Sequence, residues 1–288
     1  MGSSSTKSRT KSSGEIECRY LMLKRTGSQL LNNLVALAGA VALTGALFWA
    51  TNAQSIASVS PLEKEISGQS KRLSSSNEEE RRDALMRLGA LHVPEASRAS
   101  LPGLSDASPM VRAVAANAVL SLPAAESVSA LLPLMNDKDE FVRREAAYAL
   151  GHTKGRSATT VLIEHLQTDR EVGVRAAAAV GLGEIADENA VVALSSVLSG
   201  STKKAEKNVF VLRASAVALG NIKSRAGTPA LIAALSNAKF PGDVRREAAR
   251  GLGKIGDPSA VTALQTAASS TDPYLADVAY NALKAIRH

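Results

Sequence analysis

Val142 to Thr153 reads VRREAAYALGHT, Val174 to Ile185 reads VRAAAAVGLGEI, and Val244 to Ile255 reads VRREAARGLGKI. Each phrase opens on an apolar residue and an arginine, runs through alanines, and closes on a leucine and a glycine. Fainter copies are RRDALMRLGAL from Arg81, VRAVAANAVLSL from Val111, LRASAVALGNI from Leu212 and LADVAYNALKAI from Leu275. The leucine-like anchors are Leu88, Val119, Leu150, Leu182, Leu219, Leu252 and Leu283, spaced by 31, 31, 32, 37, 33 and 31. A period of this length marks supersecondary units that bury their apolar faces only by stacking on their neighbours. Function in such a chain is expected on a long surface instead of in a closed cleft.

A second apolar stretch with helical spacing precedes each phrase: 61–73, 96–104, 127–135, 158–166, 190–198, 229–235 and 260–267. We call these the A helices and the repeated phrases the B helices. Pro109, Pro229, Pro258 and Pro273 fall between helices or in their first turns, where a missing amide hydrogen is harmless. Pro102 and Pro133 lie inside A helices and are expected to kink them. The expected fold is all-α, a right-handed α-solenoid of about seven helix pairs over 61–288, preceded by one hydrophobic N-terminal helix. Aromatic residues make up only 3% of the chain and alanine is abundant, so the core should be thin and lined by small side chains.

Two junctions carry a family resemblance. Leu252-Gly253-Lys254-Ile255-Gly256-Asp257 runs into Ala260-Val261 and Leu264, and Leu182-Gly183-Glu184-Ile185-Ala186-Asp187 runs into Ala190-Val191 and Leu194. This resembles the HEAT-like repeats of the phycobilisome-lyase type, across about four-fifths of the chain. The resemblance implies a structural ladder of aspartates and arginines along the stack. Asp106 and Arg112, Asp137 and Arg143, and Asp169 and Arg175 recur with one fixed spacing of six. An aspartate at a helix start accepts backbone amides, and an arginine reaches a neighbouring carboxylate by paired hydrogen bonds.

Ahead of the repeats, no charged residue occurs between Arg25 and Glu63, and 34–50 (LVALAGAVALTGALFWA) is almost continuously apolar. As a helix, those 17 residues span ~25 Å, somewhat short of a ~30 Å hydrocarbon core. Lys24 and Arg25 precede the run and nothing basic follows until Lys64, which keeps the N-terminus cytoplasmic and exports the repeats. Thr51-Asn52-Ala53 offers small residues for cleavage near Ala53, and Met22 would serve as a start for a compact secretory signal. A cleaved signal, an uncleaved single anchor and an internal hydrophobic helix all remain open. The expected organisation is a basic, disordered tail at 1–29, a signal peptide or anchor at 30–53, a linker at 54–60 and the solenoid at 61–288. The expected location is the bacterial cell envelope.

The net charge of +7 suggests a nucleic-acid binder until it is divided along the chain. Residues 1–53 carry six basic and two acidic residues, leaving 28 basic and 25 acidic in the remainder. That is a mildly basic surface, and no nucleic acid is expected as partner. Cys18 is the single cysteine, so the chain can form no internal disulfide or paired-cysteine metal site. His92, His152, His165 and His288 have no metal-ligand spacing. Glu164 and His165 read as helix surface. The GLG triplets at Gly181 and Gly251 end helices and read as packing positions, not a phosphate loop. With no serine elbow and no cysteine in the repeats, the sequence is read as non-enzymatic and without a cofactor.

The variable positions of the B phrase are the third, seventh and eleventh, spaced by four and so on one helix face. They are Arg82 and Met86; Asn117 and Ser121; Arg144, Tyr148 and His152; Ala176, Val180 and Glu184; Val217 and Asn221; Arg246, Arg250 and Lys254; Asp277 and Asn281. In HEAT-like solenoids the B helices line the concave side, so this stripe is the expected recognition surface. Arg144, Tyr148, His152, Glu184, Asn221, Arg246, Arg250 and Lys254 are its candidate partner-binding residues. Arg144, Tyr148 and His152 combine a cation, an amphipathic ring and a titratable group. Arg246, Arg250 and Lys254 form a wholly basic rung, which favours an acidic protein segment and strains unless something acidic answers it. The longest period inserts Ser199 to Lys207, with Lys203, Lys204 and Lys207 as further candidates for contact. The first functional expectation is a scaffold gripping another protein, with membrane contact through the N-terminal helix if that helix is uncleaved. The resemblance implies a second, a bilin lyase subunit or chaperone-like factor. Docking of the basic rung and the lysine loop on polyanions such as nucleic acid or acidic lipid is a third.

Overall fold

A computed structural model of the chain describes residues 60–200 and 208–287. The N-terminal tail, the hydrophobic segment at 30–53 and the inserted lysines Lys203, Lys204 and Lys207 lie outside the described residues. The repeats form one compact unit, Pro61–His288. Among the described residues every regular element is helical, and no helix is long and apolar enough to cross a membrane.

Among the described residues, fourteen α-helices alternate as A and B partners. The A helices are α1 (Pro61–Arg72), α3 (Pro94–Ser100), α5 (Ala124–Leu131), α7 (Thr159–Thr168), α9 (Val191–Ser199), α11 (Thr228–Ser236) and α13 (Val261–Ala268). The B helices are α2 (Glu78–Ala90), α4 (Pro109–Ala118), α6 (Glu140–His152), α8 (Val172–Ile185), α10 (Val209–Ile222), α12 (Gly242–Ile255) and α14 (Pro273–Arg287). This is an all-helical, solenoid-like repeat fold. All seven anchors of the repeated phrase are buried.

The prolines in the A helices do more than bend them. Helix α3 gives way to a 3-10 helix at Leu101–Ser105 and α5 to one at Leu132–Asn136, with Pro102 and Pro133 near the starts of those segments. Proline has no amide hydrogen for an α-type bond, and the tighter turn accommodates its ring.

Every B helix starts ahead of the first apolar position of its phrase. Asn77, Asp139 and Asn208 cap α2, α6 and α10 by accepting the amide two residues on. Such caps satisfy amides that have no partner inside the helix. The added turn places Phe141 and Phe210 on the helices, one residue before Val142 and Val211.

B helices pack on B helices far more extensively than A helices pack on one another. Small residues permit this. A Cβ on Gly151 would lie 2.6 Å from Gly181 Cα, and one on Gly220 would lie 2.7 Å from Gly251 Cα. Helix ends carry further backbone demands: Ala186, Lys223 and Gly256 are left-handed at the C-termini of α8, α10 and α12, each returning its amide to a carbonyl four residues back.

Candidate functional site

The ladder residues have the most directed geometry in the molecule. Arg112 donates from Nε and Nη2 to Asp137 at 2.7 and 2.9 Å, and Arg143 to Asp169 at 2.9 and 3.1 Å. Each also donates from Nη1 to the carbonyl six residues back, Asp106 or Asp137, at 2.8 Å. One guanidinium therefore clasps the A–B turn of its own repeat and the carboxylate of the next. Arg175 makes the same carbonyl contact, to Asp169 at 3.0 Å. Arg81 is a further rung, paired with Asp106 at 2.7 and 2.9 Å, although Ser75 stands where the spacing of six would place an aspartate. Asp106, Asp137 and Asp169 each accept the amide two residues on.

Burial alone would push the Asp169 carboxyl up, but hydrogen bonds from Arg143, the Glu171 amide and His165 outweigh it and hold the group down to about 2. His165, read from sequence as helix surface, is thus half-buried with Nδ1 3.0 Å from Asp169. These residues hold the stack together and leave the B face free for another role.

On that face the structure divides the predicted stripe. Arg144 and Tyr148 line a depression of about 660 Å³ at the middle of the stack, with Ala176, Val180 and Val217. His152 and Glu184 do not line it. Glu184 forms an ion pair with Lys154, which holds its carboxyl below the usual range. Asn221 accepts a hydrogen bond from Lys254 at 2.9 Å. Acids answer two cations of the basic rung: Arg246 pairs with Asp272 at 3.2 Å and Arg250 with Glu247, while Lys254 donates to Asn221. Arg250 and Lys254 border a second depression, of about 510 Å³, with Asp277 and Asn281. Asp272 accepts the Tyr274 amide at the start of the following B helix and comes within reach of Arg246 only through stacking.

Phe210 and Arg213 are among the lining side chains that escape the sequence reading. Val217 and Asn221 are the seventh and eleventh positions counted from Val211, and the same count makes Arg213 the third, in the column of Arg144 and Arg246. The visible signal is the matching of EFVRRE with VFVLRA. Among the described residues, no cluster of histidine, cysteine, aspartate and glutamate is arranged to hold a metal ion.

The profile described as HEAT repeats matches residues 98–183 and 228–288, together just over half of the chain. The profile described as PBS lyase HEAT-like repeat matches 174–200 and 211–237. No curated protein matches the chain. Among solved structures, an engineered protein is 23% identical, covering 77% of this chain and 68% of that one, with a TM-score of 0.49. The complex of CpcE and CpcF of phycocyanin lyase from Nostoc sp. is 21% identical, covering 76% and 93%, with a TM-score of 0.47. Human deoxyhypusine hydroxylase in complex with glycerol is 21% identical, covering 77% and 84%, with a TM-score of 0.41.

Proposed function

The chain belongs to the HEAT-repeat family, and from that premise we propose that it is a scaffold whose B-helix face holds a segment of another protein. Stacked helical repeats build extended inner surfaces suited to this task. The observation that carries the reading is the central depression, where Ala176, Val180 and Val217 lie between Arg144 and Arg213. The same reading includes a right-handed superhelix, held at the cell envelope by the segment at 30–53 or released after cleavage near Ala53. The charge pattern of 24–64 supports that location.

Alanine placed singly at Arg144, Tyr148, Arg246 and Arg250, with helical circular dichroism retained, is expected to abolish or strongly weaken capture of the partner. The partner itself is identified by pull-down of the tagged chain from membrane and soluble envelope fractions, read by mass spectrometry. Capture unchanged by all four substitutions would place binding elsewhere.

A second reading is favoured by the match of 174–200 and 211–237 to the PBS lyase HEAT-like repeat, which overlaps the floor of the depression. On it the chain serves as a bilin lyase subunit or chaperone-like factor. Such a factor works in the cytoplasm, so a reporter fused after residue 60 separates the two. Reporter activity on the outer side favours the scaffold; cytoplasmic activity, with bilin absorbance changing on mixing, favours the lyase.

A further inference from the structure

The middle of the B face is notched by a mismatch between three successive helices. In α6 and α10 the residue before the repeated valine is aromatic, and the arginine three positions on lies over its ring. Arg144 stands 4.8 Å from the Phe141 centroid and Arg213 stands 5.9 Å from that of Phe210. In α8, between them, the same two positions are Gly173 and Ala176. Arg144 with Tyr148 on one side and Arg213 with Phe210 on the other therefore face each other across a floor of Gly173, Ala176 and Val180.

We propose that this notch docks an acidic protein segment, which sets one aliphatic or aromatic side chain on the Ala176–Val180 floor and directs a carboxylate to each of Arg144 and Arg213. The inference rests on the reading that the B face binds a partner, and it names the place and the chemistry. Apolar surface is open for the anchor, since Phe210 is 58% exposed. The two guanidiniums are loosely engaged, Arg144 with Glu145 at 3.4 Å and Arg213 with Asp243 at 4.0 Å, unlike the doubly bonded Arg112 and Arg143. Their side chains are 39% and 48% exposed. Stacking on an aromatic ring holds each in place before a ligand arrives, so little freedom remains to be lost on binding. Two guanidiniums and one carboxylate, Glu145, line the notch. Helices two places apart in a stack lie ~16–20 Å apart. The bound carboxylates therefore sit roughly five or six residues apart in an extended segment at ~3.3 Å per residue.

The test exposes the full-length chain, in mild detergent, to a phage-displayed library of random peptides and measures the affinity of the enriched peptides after synthesis. Enriched peptides are expected to place an apolar residue between acidic ones. Val180→Glu and Arg213→Glu should each weaken them by about tenfold or more, a scale usual for anchor contacts. Peptides with lysine in place of the acidic residue should regain affinity for the Arg213→Glu chain. Both positions are exposed, and melting curves check that folding is kept; the double variant Arg144→Gln, Arg213→Gln replaces any that unfolds. Peptides that respond to Arg246→Ala or Arg250→Ala but not to the notch substitutions would overturn the notch and leave the B-face reading standing. Peptides indifferent to all of these, or no enrichment, would overturn both.

Discussion

The first four repeats and the last three are built on one pattern and fastened differently. From α2 to α6, each B helix sends an arginine to the carboxylate of the next repeat with two hydrogen bonds, at Arg81, Arg112 and Arg143. In α10 the ladder position is Leu212, which is buried. In α12 it is Arg245, whose Nε turns to the Leu235 carbonyl at 2.9 Å. The C-terminal repeats keep, without such rungs, the close backbone approach that also joins Gly151 to Gly181: Gly183 faces Ala218, Gly220 faces Gly251 and Gly253 faces Ala282. Steric fit between B helices thus runs along the stack, and the doubly bonded ion pairs are added to it in the N-terminal repeats. The ladder lapses at α10, the helix that presents Phe210 and Arg213 to the notch.

Removing a ladder arginine should have the largest effect. Arg143→Ala leaves the buried Asp169 carboxylate without its main partner and should cost about 3–5 kcal/mol by urea unfolding. Arg245→Ala, at the same position in α12, loses a single carbonyl bond and should cost about 1 kcal/mol. Equal losses would end the distinction between the halves. Acid sharpens it, because the folded-state pKa of Asp169, about 2, lies below the ordinary value of about 3.9. The ion pair's stabilisation is therefore complete above about pH 4 and is lost as pH falls towards 2. The stability gap between the parent and Asp169→Asn should be constant above pH 5 and close across that window.

Glycine substitutions should act more weakly. A Cβ on Gly220 would stand 2.7 Å from Gly251 Cα, and separating those backbones should cost about 1–3 kcal/mol. At Gly89 the nearest atom, Ala118 Cα, is 3.2 Å away, and the helix propensity gained with alanine, up to about 1 kcal/mol, should offset most of the strain. Thermal midpoints of Gly220→Ala and Gly89→Ala compare the two directly. The smallest effect belongs to Asp272→Asn, which keeps an oxygen to accept the Tyr274 amide while removing the charge that pairs with Arg246. The loss should stay within about 1 kcal/mol, since the pair is partly exposed, and hydrogen exchange at α14 should be nearly unchanged.

Much of the architecture was legible because it repeats. The seven anchors, the helix pairs and the glycines between B helices follow from side-chain periodicity, which is a property of each helix alone. The rungs at Arg112 and Arg143 were legible through the resemblance, while Arg81 escaped because Ser75 breaks the spacing. The central depression was legible only in part. Arg144 and Tyr148 of the expected stripe line it, and His152 and Glu184 of the same stripe do not.

The amino-acid sequence by itself determined that this chain stacks helical pairs, because an apolar face repeated at a fixed interval can be buried only against its own neighbours. Only the tertiary structure decided which charges are spent and which remain. Arg246 meets Asp272 across 26 positions, and Phe210 and Arg213 face Arg144 across the gap at Gly173, Ala176 and Val180. Those neighbours are set by the register between helices, a geometric relation that no single helix encodes.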